Sequence, residues 1–565
     1  MEAAASPSSS GFHALDRRQL IGTIIGLQLT LLLSALDQTI VGTAMPKIIA
    51  NLNGFERYTW VTTAYLLTST IAVPIFGKLS DIYGRKWFYL GGAALFVGAS
   101  ALCGAAGDLP LPLDGMNQLI LFRGLQGLAG GIISGLTFTV IGDIFPPAER
   151  GKYQGLFTAV WGLASVFGPT LGGWITDNLN WRWVFYVNVP VGALALTVLW
   201  IAFPYFKPEG VRRVVDYAGV ATLIACLVPL LLALTWAGEA QYGWTAPRVI
   251  GGLLFAAGML GAFLFIETRA LEPVLPLSLF KNSIISVSSI SLFMTGMGMF
   301  GAILFIPLFM QGVIGISATQ SGSLLTPMML ALMAGSIISG QLVSWLGRYK
   351  LLAFTGLALM CGGLVLLGGM GADTSRGTVV RNMLFVGVGL GLTMPIYTLI
   401  VQNAVDPRQM GIATASAQFF RLIGGTVGTA IFGSFMLNRY TNYFNNHVPA
   451  GVPQQALPAF MNPLGLIQVL PQLREQFGKL PGGEQLLNGL LVITRDALVS
   501  ALDVVFLVGA VLIAVSFVSN FFLKEVPLRK RNAPGAAQPA AQPADQPAPA
   551  RHATPEPVEA MERSA

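Results

Sequence analysis

The sequence predicts an all-α integral membrane protein of fourteen transmembrane helices, arranged as two six-helix bundles with two helices inserted between them. Three observations carry that prediction. Of the 565 residues 54% are hydrophobic and only 10% are charged, far more apolar surface than water-soluble cores can hide. The apolar residues form continuous runs long enough to cross a hydrocarbon layer of about 30 Å, without the period-two alternation of a strand barrel. Short motifs of the first half also return, in the same order, in the second.

The runs lie near residues 19–43, 59–77, 87–106, 117–141, 153–176, 184–204, 216–236, 248–267, 286–312, 321–345, 350–371, 380–403, 412–436 and 497–522. The first follows a polar stretch and is long enough to span, so it is expected to stay as an anchor and not to be cleaved as a signal peptide. "GKLSDIYGRK" (77–86) after span 2 is echoed by "GQLVSWLGRYK" (340–350) after span 10. "LFRGLQG" (121–127) in span 4 is echoed by "LFVGVGL" (384–390) in span 12, and Pro147 with Gly151 by Pro407 with Gly411. The expected organisation is a cytoplasmic N-terminus (1–18), an N-terminal six-helix bundle (19–206), two inserted spans (207–270) and a C-terminal six-helix bundle (271–532). That last bundle carries a long exterior loop (437–495) with amphipathic stretches near 464–476 and 484–495; the Ala/Pro/Gln-rich tail (533–565) is expected to be disordered.

An even number of spans puts both termini on one side, and basic residues choose which. Arg17, Arg18, Arg85, Lys86, Arg212, Arg213, Lys524 and Arg529 to Arg531 belong to the terminal side, which the positive-inside rule makes cytoplasmic. The net charge of +7 is thus an orientation signal and not a sign of nucleic-acid binding. Cys103, Cys226 and Cys361 all fall inside spans and the three histidines are scattered, so neither a disulfide framework nor a metal centre is expected. No "GxxxxGK[ST]" phosphate loop occurs.

Repeated halves of six spans suit alternating access around a site near the membrane midplane. The charges are unequally shared: Asp37 aligns with Gly298, Arg123 with Val386 and Asp81 with Ser344, while the second half offers methionines and aromatics such as Met297, Met299 and Phe300. "LDQTIVGTAMP" in span 1, "GKLSDIYGRK" after span 2, "FRGLQGLAGG" in span 4, "GLASVFGPTLGG" in span 5 and "WRWVFYVNVPVG" entering span 6 resemble the signature motifs of the major facilitator superfamily. Within it they are most similar to the fourteen-span drug:proton antiporter family. The resemblance implies the major facilitator fold and proton-coupled multidrug efflux.

Asp37 is the first candidate proton-coupling residue. Thr23, Gly26, Thr30, Ser34 and Asp37 recur at helical spacing, so span 1 presents one small or polar face, suited to a water-filled cavity. An acid at the membrane centre costs about 2.5–3.5 kcal/mol on the insertion scale, which points to reversible protonation or, alternatively, to a static hydrogen bond. Arg123 lies at a similar depth and either tunes proton release from Asp37 or snorkels to brace the helix end. Gly77, Asp81, Gly84, Arg85 and Lys86 form a candidate conformational latch: the glycines permit close approach and a tight turn, and the acid can cap a helix and bond Arg85. Gly162, Gly168, Pro169, Gly172 and Gly173 suit close helix packing and a bend; only the resemblance makes them an antiporter motif.

Tyr65, Gln126, Phe138, Trp161, Gln311, Tyr397, Gln402 and Phe419 are candidate substrate-cavity residues. Arg421 either braces helix ends or attracts an anion. The expected activity is non-enzymatic export of lipophilic cationic or neutral compounds from the cytoplasm, using a proton gradient and no cofactor. Expected partners are the small-molecule substrate, protons and the bilayer of the plasma membrane, with no nucleic acid, and the chain is expected to be a monomer. A dedicated exporter of one lipid or secondary metabolite, and a non-transporting sensor on the same scaffold, are the alternatives.

Overall fold

The computed structural model describes residues 16–144, 147–205, 216–238, 242–271, 273–346, 348–405, 410–449, 452–479 and 482–525. The tail (533–565) and nearly all of the N-terminal segment lie outside the described residues. The helices are α1 (Arg17–Leu52), α2 (Trp60–Tyr83), α3 (Arg85–Gly104), α4 (Gly115–Ile144), α5 (Pro147–Asn178), α6 (Trp183–Tyr186), α7 (Asn188–Ala202), α8 (Tyr217–Gly238) and α9 (Pro247–Glu267). They continue as α10 (Ser283–Gly312), α11 (Ala318–Leu346), α12 (Lys350–Leu367), α13 (Arg376–Asn403), α14 (Met410–His447), α15 (Leu457–Phe460), α16 (Leu466–Gly478) and α17 (Gly483–Ser519). Thirteen segments among the described residues are long and apolar enough to cross a membrane, with α6 and α7 counted together. The 32-residue α5, packed between α1 and α11, stands at the position of the fifth expected span.

Local chemistry sets the breaks. Gly84 separates α2 from α3 at φ 102° and ψ 148°, a region open essentially to glycine alone, and a Cβ there would also meet the Tyr205 ring at 3.1 Å. Gly84→Ala is therefore expected to lower stability by roughly 1–3 kcal/mol, read as a lower melting temperature of the purified protein. Span 6 is interrupted between α6 and α7. Pro190 has no N–H for the Tyr186 carbonyl, and the chain restarts at Asn188. α1 ends on Asn53, whose left-handed backbone (φ 50°) caps the helix by donating to the Ile49 carbonyl.

α1 to α7 pack on one another around a core that includes Leu31, Tyr89, Phe96, Ile133 and Leu136, and Phe300 of α10 reaches into it. α10 to α14 and α17 form the second group, with α8 and α9 paired and α8 set against α14 and α2. A second core joins Leu67 and Ile71 of α2 to Leu227 and Leu231 of α8 and Ala430 of α14.

We call the end where α1 begins the entry end and the other the far end. The two groups of helices meet at the far end. Gln311 donates to the Thr43 carbonyl (2.9 Å), Tyr58 to the Leu304 carbonyl (2.9 Å), and Thr63 pairs with Thr429 (3.1 Å). Along the α5–α11 seam Thr170 pairs with Thr326 (2.9 Å), and Asp177 accepts from both the N–H and the hydroxyl of Thr319.

The long loop differs from its expected form in one respect. The first amphipathic stretch is α16, but the second is continuous with the last span as the start of α17, because no proline or glycine turn separates residues 490 to 497. The loop also grips both groups of helices. Asn462 donates to Asn53 (3.2 Å), while Phe460 stacks on Phe444 and its carbonyl accepts from Tyr440.

Candidate functional site

Asp37 lies on α1 about 30 Å from its start at 1.5 Å per residue, and its side chain is 0% exposed. Arg123 reaches it from α4 at 2% exposure and donates from Nη1 to Oδ2. The other oxygen, Oδ1, accepts from Gln126 Nε2 (2.8 Å) and Asn188 Nδ2 (3.2 Å). Arg123 also donates to Gln126 Oε1 (2.6 Å) and the Val61 carbonyl (3.4 Å), and its guanidinium lies 4.3 Å from the centre of the Tyr65 ring. Ser100 of α3 completes the network by accepting from Gln126 (2.6 Å) and Asn188 (3.3 Å). Five helices thus converge on one carboxylate.

Each donor is where it is for a local reason. Asn188 is the first residue of α7 and is buried. Gln126 and Arg123 are one helical turn apart, so both project from the same face of α4. Gly127, Gly130 and Gly131 let α4 lie directly on α2: a Cβ on any of them would overlap Tyr65 or the Ser69 backbone. This contact brings Tyr65 under Arg123.

The polar face of α1 is packed, not wet. Thr23 donates to the Ala202 carbonyl (3.0 Å), Gly26 abuts Leu199, Thr30 bonds the Tyr89 hydroxyl (2.6 Å) and Ser34 the Tyr65 hydroxyl (3.2 Å). Its small size serves close contact with α3, α2 and α7. Tyr65 and Gln126, expected in a substrate cavity, are members of the charge network. Tyr397 is likewise buried away from any opening, among Ser291 of α10 and Ser516 and Asn520 at the end of the last span.

Gln311 bridges to α1, Gln402 donates to Thr414 (3.1 Å), Trp161 lies half-buried against the first core, and Phe419 packs on Phe420 beside the second. The Phe138 side chain lies outside the described residues. In the latch, Arg85 is buried and donates to Ser80 (2.8 Å), and Lys86 donates to the Trp200 carbonyl (3.2 Å). The Asp81 side chain lies outside the described residues, and among the described residues nothing lies within 4 Å of a Cβ placed on Gly77. In α5, a Cβ on Gly168 or Gly172 would strike Thr39 or Ile40 of α1, and one on Gly173 would strike the Ala318 backbone of α11. Gly162 meets only an ordinary contact with Met333 at 3.5 Å. The α5 glycines and Pro169, which receives Gly322 of α11, therefore mark where α5 touches both groups of helices.

Two network members, Asn188 and Ser100, were not anticipated. An asparagine or serine alone in an apolar span is a visible signal, but nothing in the spacing says which way it points.

A family model described as "Major Facilitator Superfamily" matches residues 27–429, and the chain belongs to that superfamily. It is 42% identical over 522 residues to the "Multidrug transporter protein MdtP" of Bacillus subtilis (strain 168), covering 90% of this chain and 94% of that one. It is 37% identical over 502 residues to "Multidrug resistance protein 3" of the same organism, covering 88% and 94%. Among solved structures it shares its fold with a bacterial homologue of the human lysosomal transporter Spinster in an inward-facing, unoccupied conformation, at TM-score 0.59 and 15% identity over 90% of this chain and 98% of that one.

Proposed function

We propose that the protein exports lipophilic small molecules across the plasma membrane in exchange for protons, by alternating access, with both termini in the cytoplasm. The observation that carries the coupling is Asp37, whose two oxygens are both occupied by donors. That set suits an ionised acid and is spoiled by a proton, since a protonated carboxyl must donate where it now only accepts. Protonation would also leave Arg123 without its counter-charge in a site closed to water. The strongest response to that imbalance is to move the helices carrying the pair, and α1 and α4 belong to the same bundle. The names of the two Bacillus relatives support drug efflux as the cargo reaction.

The far-end contacts fit a state open toward the cytoplasm. Protons entering from outside would reach the acid only after the α5–α11 seam parts. The driving force suffices: one proton moved through about 100 mV yields about 2.3 kcal/mol, and a pH step of one unit adds about 1.4 kcal/mol.

Cells producing the protein are expected to expel several unrelated lipophilic dyes, and a protonophore is expected to stop the efflux of all of them. Efflux of a single compound only would favour a dedicated exporter. Binding without flux in sealed vesicles would favour a sensor.

A further inference from the structure

Asp37 and Arg123 neutralise one another, but another arginine lies deep among the helices without a counter-charge. Arg421 is eleven residues into α14, about 16 Å along the helix. Its side chain is partly exposed, it forms no salt bridge among the described residues, and its Nε is a buried donor with no acceptor. Among the described residues, neither the acids of the adjoining α17 (Glu484, Asp496 and Asp503) nor Asp216 and Glu267 of the α8–α9 pair make an ion pair with it. A bracing arginine would bond helix-end carbonyls, as Arg182 does to Gly104 and Ala106. Arg421 bonds none.

The residues beside it along α14 pack on apolar cores. Leu422, like Trp161 and Met299, packs against the core that Phe300 shares with the first bundle, and Phe419 and Phe420 pack against the core that includes Leu227 and Leu231 of α8. A guanidinium left unpaired inside the membrane costs about 2.5–3.5 kcal/mol on the insertion scale, a cost that an incoming anion offsets. Its planar fork fits a carboxylate, phosphate or sulfonate bidentately.

We propose that Arg421 is the anchor for an anionic group of the transported compound, which extends the cargo to lipophilic organic acids. This rests on the export reading above. The acid group would meet Arg421 while the apolar body lies against apolar side chains of the same stretch of α14, among them Phe419, Phe420 and Leu422. Loss of a hydrogen bond to a charged group amounts to about 1.5–3 kcal/mol, or roughly tenfold to a hundredfold in affinity.

The test compares pyrenebutyric acid with its methyl ester, by fluorescence titration of the purified full-length protein and by proton-driven transport in phosphatidylcholine vesicles. Arg421→Gln is expected to weaken binding of the acid at least about tenfold while leaving the ester within about twofold, and Arg421→Lys to recover part of the loss. Equal weakening for acid and ester would assign Arg421 to structure and overturn the proposal, as would no change for the acid. Repeating the titration with phosphatidylglycerol present separates the other source of an anion: if wild type and variant differ only when that lipid is added, the arginine serves a lipid headgroup and the proposal fails. Selective binding of the acid without any proton-driven flux would instead retain Arg421 as an anion site and reject the export reading.

Discussion

Asp37→Asn is expected to abolish proton-driven accumulation of substrate while leaving exchange of substrate for substrate. Asparagine imitates the protonated acid in shape and cannot release a proton, so the imported energy has no carrier. A wild-type gradient of several-hundred-fold, the ceiling set by about 2.3 kcal/mol of potential and about 1.4 kcal/mol of pH difference, should fall to unity. The variant also leaves Arg123 charged and uncompensated at 2% exposure. Breaking a buried ion pair from one side costs about 3–5 kcal/mol, whereas removing both charges is far milder. The double variant Asp37→Asn/Arg123→Gln is therefore expected to regain much of the melting temperature lost by the single one and to regain none of the accumulation. Counterflow and accumulation assays on the same vesicles separate these two effects.

A covalent lock on the seam is expected to stop transport as completely. The hydroxyls of Thr170 and Thr326 lie 2.9 Å apart across α5 and α11, so cysteines at these positions are within reach of a disulfide. In Thr170→Cys/Thr326→Cys, mild oxidation should remove all substrate flux and reduction should restore it to near the level of each single variant. The glycines make the same point without chemistry. A side chain at Gly173 or Gly322 would overlap the backbone of the facing helix, so Gly173→Leu should hold the far end apart and raise its accessibility to a thiol reagent at a nearby cysteine. Oxidised double variant that still transports would mean that the seam does not open in the cycle.

What the sequence carried and what it did not follow from one distinction. Runs of apolar residues locate helices along the chain, and they did so here even for α5, interrupted by Pro169 and a row of glycines. The Asp37–Arg123 pairing was legible too, because two charges at one depth in adjacent spans have few other places to go. The azimuth of a side chain was not. In a buried helix such as α10 or α13, lipid, protein core and cavity are equally apolar neighbours, so nothing in the pattern marks which face is which. Where Tyr397, Tyr65 and Gln126 point was therefore not legible. The polar stripe of α1 misled in the same way: small hydroxyl-bearing residues line water in some helices and close contacts in others, and Thr30 with Tyr89 shows the second use. For Asn188, likewise, nothing in the pattern says that it meets Asp37.

The most direct test of the account is proton release on binding substrate. Purified wild-type protein in weakly buffered solution is expected to release protons when a transported dye is added, and the Asp37→Asn variant, still binding the dye, is expected to release none. Equal release from both would show that the exchanged proton is carried elsewhere and would remove the central role given to this carboxylate.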